Sequence, residues 1–369
     1  MKSEEFSTAM LKIDIEERML HFKQPAGTSR GVYTERRIWL VRVSDGSLVG
    51  IGECAPLPQL SYDDLPNYGA VLRRFCDEVE HTGEIPYESL RDFPSMLFGL
   101  ETAMLHLQYL ASNVHCPASD IQCPMLFDTP FSRGEVGIPI NGLVWMGTFE
   151  EMQQRIEEKL SQGFRCVKLK IGAIDFDAEL ELIKKIRARF SYHDVELRVD
   201  ANGAFPFDEA LYKLELLSQY ALHSIEQPIK AGQWSFMAEL CRESPLPIAL
   251  DEELIGINDP DQKRQMLNII RPRYIILKPS LHGGIQGCRE WIDIARDMRI
   301  GSWITSALES NIGLNAVAQF CANVYGDSSN LSQGKEMMPQ GLGTGQLFTD
   351  NIDMPLQIKG DRLWISKLS

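Results

Sequence analysis

Lys168 and Lys170 stand two residues apart in the run Cys166-Val167-Lys168-Leu169-Lys170-Ile171-Gly172. Residues two apart on a strand share a face, so both ammonium groups would point the same way. On an exposed antiparallel strand that is ordinary. On a buried parallel strand, normally apolar throughout, it needs a cause. Further along, Asp200 ends LRVD, Glu226 sits in SIEQP, Asp251-Glu252 follow PIAL, and Lys278 follows YIIL. The steps from Lys170 onward are each about 25–30 residues, close to one strand-plus-helix unit of a parallel barrel. One charged group therefore falls at the C-terminal end of each of five successive strands, in the order Lys, Asp, Glu, Asp, Lys. In such barrels that end is where chemistry is done.

Three carboxylates converging from adjacent strands repel one another in a partly dry cavity unless a cation neutralises them. Oxygen-only donors suit a hard divalent ion, and Mg²⁺ takes few protein carboxylates while keeping positions for water or substrate. Asp200, Glu226 and Asp251 fit that role, with Mn²⁺ as a substitute. Lys170 and Lys278 would then flank the metal. Burial, like charge from Lys168 and the cation itself each favour a neutral amine, which can act as a base. Glu252, turned to the other face from Asp251, is expected to pair with a neighbouring lysine. Each residue alone has a blander reading: an acid after a strand is usually a helix cap or a solvated loop residue, and two lysines a wet strand face. Five such positions in five successive units have no comparable structural cause.

The elements that must hold these groups recur in one long stretch. Short apolar runs at 138–145, 166–172, 195–203, 223–229, 247–254, 274–280 and 301–308 alternate with helical patterns at 149–162, 176–189, 207–218, 234–242 and 286–298. Alternating strand and helix means a parallel sheet, and seven such units favour a closed barrel over an open sheet. Residues 1–135 read differently. The runs 11–22, 35–45 and 46–57 alternate like antiparallel strands, and helical patterns follow at 67–79 and 95–111, an α+β module ahead of the barrel. From about Gly334 the chain shows no helical pattern and ends in a hairpin candidate with Gly360-Asp361 at its turn. A lone hairpin is barely stable, so it should pack back on the first module. The expected division is a capping domain over 1–135, a barrel over 136–333 and a return over 334–369.

With 369 residues, 44% hydrophobic and 24% charged, burying a large core is no difficulty. The net charge of −14 argues against nucleic acid and anionic membranes as partners, although a local pocket or a metal can still hold an anionic small molecule. The eight cysteines include no CxxC pair; His115, Cys116 and Cys123 come nearest to a metal pattern but lack a second tight pair. No signal-peptide core or membrane-length apolar run is present. A reduced cytoplasm is the expected setting.

The ordered set resembles the enolase superfamily, in its muconate-lactonizing subgroup, over nearly the whole chain. That resemblance implies an N-terminal capping module, a (β/α)7β TIM-like barrel and a C-terminal tail that completes the cap. Lys168-Leu169-Lys170 matches the KxK of the second barrel strand, whose second lysine is the base. Asp200-Ala201-Asn202 matches DxN, Glu226 the fourth-strand glutamate, Asp251-Glu252 the DE pair, and Lys278 the sixth-strand lysine. The implied chemistry is removal of a proton α to a carboxylate, with Asn202 and Glu252 in support and Lys168 tuning the base.

Two segments, 22–37 and 306–322 followed by 339–348, resemble the dehydrating branch of the subgroup. The expected reaction turns a succinyl-substituted hydroxycyclohexadiene carboxylate into an aromatic benzoate. Lys170 would remove the proton and then protonate the departing hydroxyl, while Lys278 stays cationic. In the polar stretch 24–31, Arg30 either meets the succinyl carboxylate or decorates a hairpin. Ser306 and Glu309 fall where the subgroup places substrate-side or supporting groups. A dipeptide epimerase or N-succinylamino acid racemase built on the same two lysines stays open, although the DxD of such racemases is missing from 323–345, where Asp327 stands alone. A non-catalytic protein retaining the fold is disfavoured by the intact set of five.

Overall fold

Alternation builds the first module. In the computed structural model, which describes residues 11–28, 31–112, 124–145, 147–326 and 337–366, strands β1 (Lys12–Thr28), β2 (Gly31–Ser44) and β3 (Val49–Cys54) form an antiparallel sheet in sequence order. The first two are longer than the sequence pattern suggests, with a register shift between His21 and Ala26. Strand β2 is apolar on both faces. Trp39, Val41 and Val43 pack under the helices α1 (Tyr68–Thr82) and α3 (Pro94–Ser112), and the short α2 (Tyr87–Leu90) lies between those two helices in the chain. Ile38 and Leu40 join the opposite cluster, which includes barrel-side residues Leu281, Ala307 and Ile312. The close seat of α3 on β3 depends on glycine: a Cβ at Gly50 or Gly52 would lie 2.0 Å from a carbonyl oxygen of α3.

After β4 (Ile138–Pro139), the barrel strands are β5 (Gly142–Val144), β6 (Cys166–Lys170), β7 (Glu196–Asp200), β8 (Ser224–Glu226), β9 (Ile248–Leu250), β10 (Tyr274–Leu277) and β11 (Gly301–Ile304). Each pairs in parallel with the next in one sheet. The covering helices are α4 (Phe149–Ser161), α5 (Phe176–Arg189), α6 (Phe207–Ser218), α7 (Trp234–Glu243), α8 (Pro260–Ile270), α9 (Gly284–Asp297) and α10 (Asn311–Tyr325). The starts are encoded locally, as in the Thr148/Glu151 capping box of α4 and the Asp259 cap with Pro260 at the head of α8. The ring closes through two residues. Gln340 bridges in parallel to Ile140 and Gly341 to Thr305, so 340–341 acts as the eighth stave between the first and last strands. This is the (β/α)7β barrel with its cap.

The tail hairpin, β12 (Leu356–Lys359) with β13 (Arg362–Ile365), turns at Gly360 (φ 60°). Its partner differs from the expected one: β13 pairs with β4, on the barrel side. The contact with the first module comes earlier, where Lys23 N–H donates to Leu347 O and Thr349 N–H donates to His21 O, both at 2.8 Å. No described helix is long and apolar enough to cross a membrane. Arg30, Ser29, Asp327 and the His115, Cys116, Cys123 set lie outside the described residues.

Candidate active site

Strand register aligns the charged groups at one end of the ring. Lys170 is level with Asp200, and Asp200 with Glu226, while Asp251 and Lys278 directly follow β9 and β10. That answers the lysine pair: β6 is a parallel strand, and its polar face looks into the barrel mouth. Lys168 Nζ lies 2.9 Å from Asp200 Oδ2 and 2.5 Å from Glu226 Oε2. Lys170 Nζ lies 2.9 Å from Asp200 Oδ2 and donates to Asn202 Oδ1 at 2.6 Å. On the far flank Lys278 Nζ pairs with Asp251 Oδ2. Glu252 does not take the expected lysine partner. A short 3₁₀ turn over Glu252–Leu254 brings it to the same cavity, where Asn202 Nδ2 donates to its Oε1 at 2.9 Å.

Electrostatics sharpen the arrangement. Burial alone would lower the Lys168 pKa, but Asp200, Glu226 and Asp251 override it and hold the ammonium well above its usual range. Lys278 is raised in the same way, against burial, by Asp251, Glu226 and Glu252. The expected like-charge pressure from Lys168 is therefore blunted by its two carboxylates. Asp200, despite its burial, is held low by Lys168 and Lys170. Glu226 goes the other way: burial first, then Asp200, pushes it well up. Only with all seven groups ionised do the four carboxylates and three ammoniums leave one negative charge in excess, and Glu226 is the carboxyl that burial and Asp200 most oppose.

Among the described residues, no three carboxylate, imidazole or thiol groups stand close enough to enclose a metal ion as placed. The lysines sit between the carboxylates. The donor set nonetheless suits a hard divalent cation: it is all oxygen, and it leaves Glu226 Oε1, Asp251 Oδ1 and Glu252 Oε2 buried without hydrogen-bond partners.

The remaining walls are less charged. Ser306 lines the cavity and accepts from Thr344 Oγ1 at 2.8 Å. Glu309, expected as a substrate-side or supporting group, is fully buried with both oxygens occupied. Ser280 Oγ donates to Oε1 at 2.6 Å, and Ser306 Oγ and Ala307 N–H each donate to Oε2 at 2.7 Å. It braces the loops after β10 and β11. The cap contributes Tyr33, Leu57 and Leu60, and the ring contributes Asn141, Trp145 and Trp303. None of these six stands out in the sequence, because each looks like an ordinary core or turn residue.

Three buried ionisable side chains lock cap to barrel, also unread in the sequence. Glu53 accepts from Ser310 N–H and Gly313 N–H, both at 2.9 Å, and from the Ser310 hydroxyl, at the head of α10. Glu101 accepts from Ile285 N–H and Gln286 N–H at the head of α9, at 2.5 and 2.9 Å. Burial pushes the Glu101 carboxyl up to about 8, against those two bonds. Arg36 donates to the carbonyls of Ala55 (2.7 Å) and Ala307 (3.3 Å), joining the two loops directly.

A barrel of seven strands and a short eighth stave, capped by an α+β module and holding lysines on either side of a carboxylate row, defines a protein of the enolase type. The family described as "Enolase C-terminal domain-like" matches residues 151–363, and that described as "MenC, N-terminal domain" matches 28–107. An o-succinylbenzoate synthase from Desulfotalea psychrophila is 46% identical over 94% of this chain and 97% of its own. The crystal structure of MenC from that organism superposes with a TM-score of 0.77 at 41% identity, covering 96% of this chain and 99% of that one. The L-Ala-D/L-Glu epimerase of Bacillus subtilis shares the fold at a TM-score of 0.77 but only 19% identity, covering 97% of each chain. The chain belongs to the o-succinylbenzoate synthase family of the enolase superfamily.

Proposed function

We propose that this chain dehydrates 2-succinyl-6-hydroxy-2,4-cyclohexadiene-1-carboxylate to 2-succinylbenzoate, a carbon–oxygen lyase step of menaquinone biosynthesis, in the cytoplasm. The observation that carries the site assignment is the row itself: Lys170 on Asp200 at one flank, Lys278 on Asp251 at the other, Glu226 between. Asp200, Glu226 and Asp251 would hold Mg²⁺, with Mn²⁺ as a substitute. When bound, the ion supplies positive charge against the second negative charge that develops on the substrate carboxylate. Lys170 Nζ, oriented by Asn202 Oδ1, takes the proton from the ring carbon bearing that carboxylate. The new double bond expels the hydroxyl, Lys170 returns the proton to it, water leaves, and the ring becomes aromatic. Lys278 remains cationic and steadies the developing charge from the opposite side. Asn202 also ties Lys170 to Glu252, fixing the amine against the row. The functional division we propose is a cap over 1–135, a barrel over 136–333 and a return over 334–369.

Incubation with the cyclohexadiene substrate should give a rise in benzoate ultraviolet absorbance. Chelation with EDTA should abolish it and added Mg²⁺ should restore it; full activity after exhaustive chelation would remove the metal assignment. The second reading, epimerisation of a dipeptide, rests on the two lysines at opposite flanks. In D₂O it predicts deuterium at the α-carbon with inversion and no loss of water.

A further inference from the structure

A glycine shows which way the chain faces at the start of β5. A Cβ at Gly142 would lie 3.1 Å from the Lys159 side chain of α4, so Gly142 looks outward to the helical layer. Successive residues of extended chain alternate, which turns Asn141 and Leu143 inward, and both line the active-site cavity. Register carries Asn141 round the closing side of the ring to the charged row. Lys278 follows Leu277, which is level with Ile304; Thr305 bridges to Gly341, and Ile140 to Gln340. Lys278, Thr305, Gly341 and Asn141 thus succeed one another at one level, and Gly341 interposes no side chain. The N–H of Asn141 is used by the stave, donating to Gln340 O at 3.0 Å.

Its side chain is spare to the fold. Asn141 is only 5% exposed, yet among the described residues its amide makes no hydrogen bond. The other neutral hydroxyl and amide groups of the cavity are all occupied. Tyr33 donates to Pro58 O, Asn202 to Glu252, Thr305 to Gly341 O, Ser306 to Glu309 and Thr344 to Ser306. Buried polar groups without a partner are few in native proteins, and one that faces a cavity points to a partner that enters it. An amide is uncharged, so its N–H suits a neutral oxygen, whereas this cavity has ammoniums to meet anions. The substrate of the dehydration carries its ketone on the ring carbon beside the one that bears the reacting carboxylate. The ketone oxygen therefore stays at the depth of the row, while the terminal carboxylate lies at the far end of the arm.

We propose that Asn141 is a substrate-binding, specificity-determining residue whose Nδ2 donates to the ketone oxygen of the succinyl arm. This rests on the dehydration reading above. The test uses the full chain with Mg²⁺, as parent, Asn141→Leu and Asn141→Ala. Calorimetric Kd is measured for 2-succinylbenzoate and two relatives. In 2-(3-carboxypropyl)benzoate a methylene replaces the ketone; in 2-butanoylbenzoate a methyl replaces the terminal carboxylate. Asn141→Leu should raise Kd about tenfold for both ketones, the size of one lost hydrogen bond, and leave the carboxypropyl compound within about twofold. KM for the cyclohexadiene should rise with it. Melting temperature should not fall, because the amide that is removed has no partner in the free protein, which a merely structural asparagine would not give. Should Asn141→Leu fail to fold, Asn141→Ala decides through the same Kd pattern. The proposal is overturned by a ketone Kd within about twofold of the parent, by an equal loss for the carboxypropyl compound, or by a melting temperature that falls in both variants. Turnover of the cyclohexadiene by the parent tests the reaction separately, because the Kd pattern reads Asn141 whether or not turnover occurs. A parent that neither turns over nor binds 2-succinylbenzoate overturns both.

Discussion

The two walls of the cavity are built on opposite principles. The barrel wall is a row of buried charges on strand ends, each fixed by a neighbour of opposite sign, as in Lys168 with Asp200 and Glu226. The cap wall offers Tyr33, Leu57 and Leu60, and the cap uses its own buried polar side chains, Glu53, Glu101 and Arg36, to grip the barrel. Chemistry is thus placed on the rigid half, and shape on the half that is docked to it. The two should fail differently when altered.

The largest effect belongs to the barrel wall. Lys170→Ala should lower kcat by more than about 10²-fold, the lower end of a general acid–base contribution. Substantial residual turnover would mean that another group removes the proton. Next comes the grip of the cap. Glu53→Ala leaves the donors of Ser310 and Gly313 buried without an acceptor, which should cost about 3 kcal/mol in urea unfolding. The distinction predicts that its KM rises while proton abstraction, read as solvent deuterium exchange at saturating substrate, survives. A collapse of exchange in a folded Glu53→Ala would erase the separation of the walls.

A smaller effect should be common to both halves. His106 in the cap and His223 in the barrel are each lowered from 6.5 to about 4, mainly by burial. The folded state holds both neutral, so the unfolded chain binds protons first as pH falls. Their contribution is complete above about 6.5 and is lost progressively toward 4. Melting temperature should drop across that window, and His106→Gln should flatten part of the slope; a flat profile would contradict it. The smallest expected effect concerns Arg30. If it meets the succinyl carboxylate, Arg30→Ala raises KM and leaves metal affinity unchanged. Kinetics within about twofold of the parent would assign recognition to the barrel loops instead.

The charged row was legible because polar residues at the ends of apolar strands break a strong pattern at a fixed interval. The cap strands were legible by alternation. Helix α10 was not, because 11 of its 15 residues are buried and an all-round apolar helix shows no 3.6-residue stripe. Helix α8 also went unread, although Asp259-Pro260 carried a start signal. The partner of the tail hairpin could not be read, since β4 offers only two residues to it. Glu252 was misplaced because adjacent residues alternate only while the strand continues, and here a 3₁₀ turn begins. Glu53 and Glu101 look like surface acids until the helix heads they serve are folded against them.

The two-residue stave at Gln340–Gly341 has a consequence for assembly. All five charged positions lie on the contiguous arc β6 to β10, made early and paired neighbour to neighbour. Closure waits for a segment synthesised more than 60 positions after Lys278. Until it arrives, β5 and β11 are open sheet edges inside a growing chain, the kind of surface on which strands of other chains can add. Gln340 answers this with side chain as well as backbone: its Oε1 accepts from Ile304 N–H at 2.7 Å, and its N–H donates to Pro139 O at 2.9 Å. Ring closure is thus a late, long-range event of high contact order, so it should be the slow step of refolding, with the catalytic arc already formed before it.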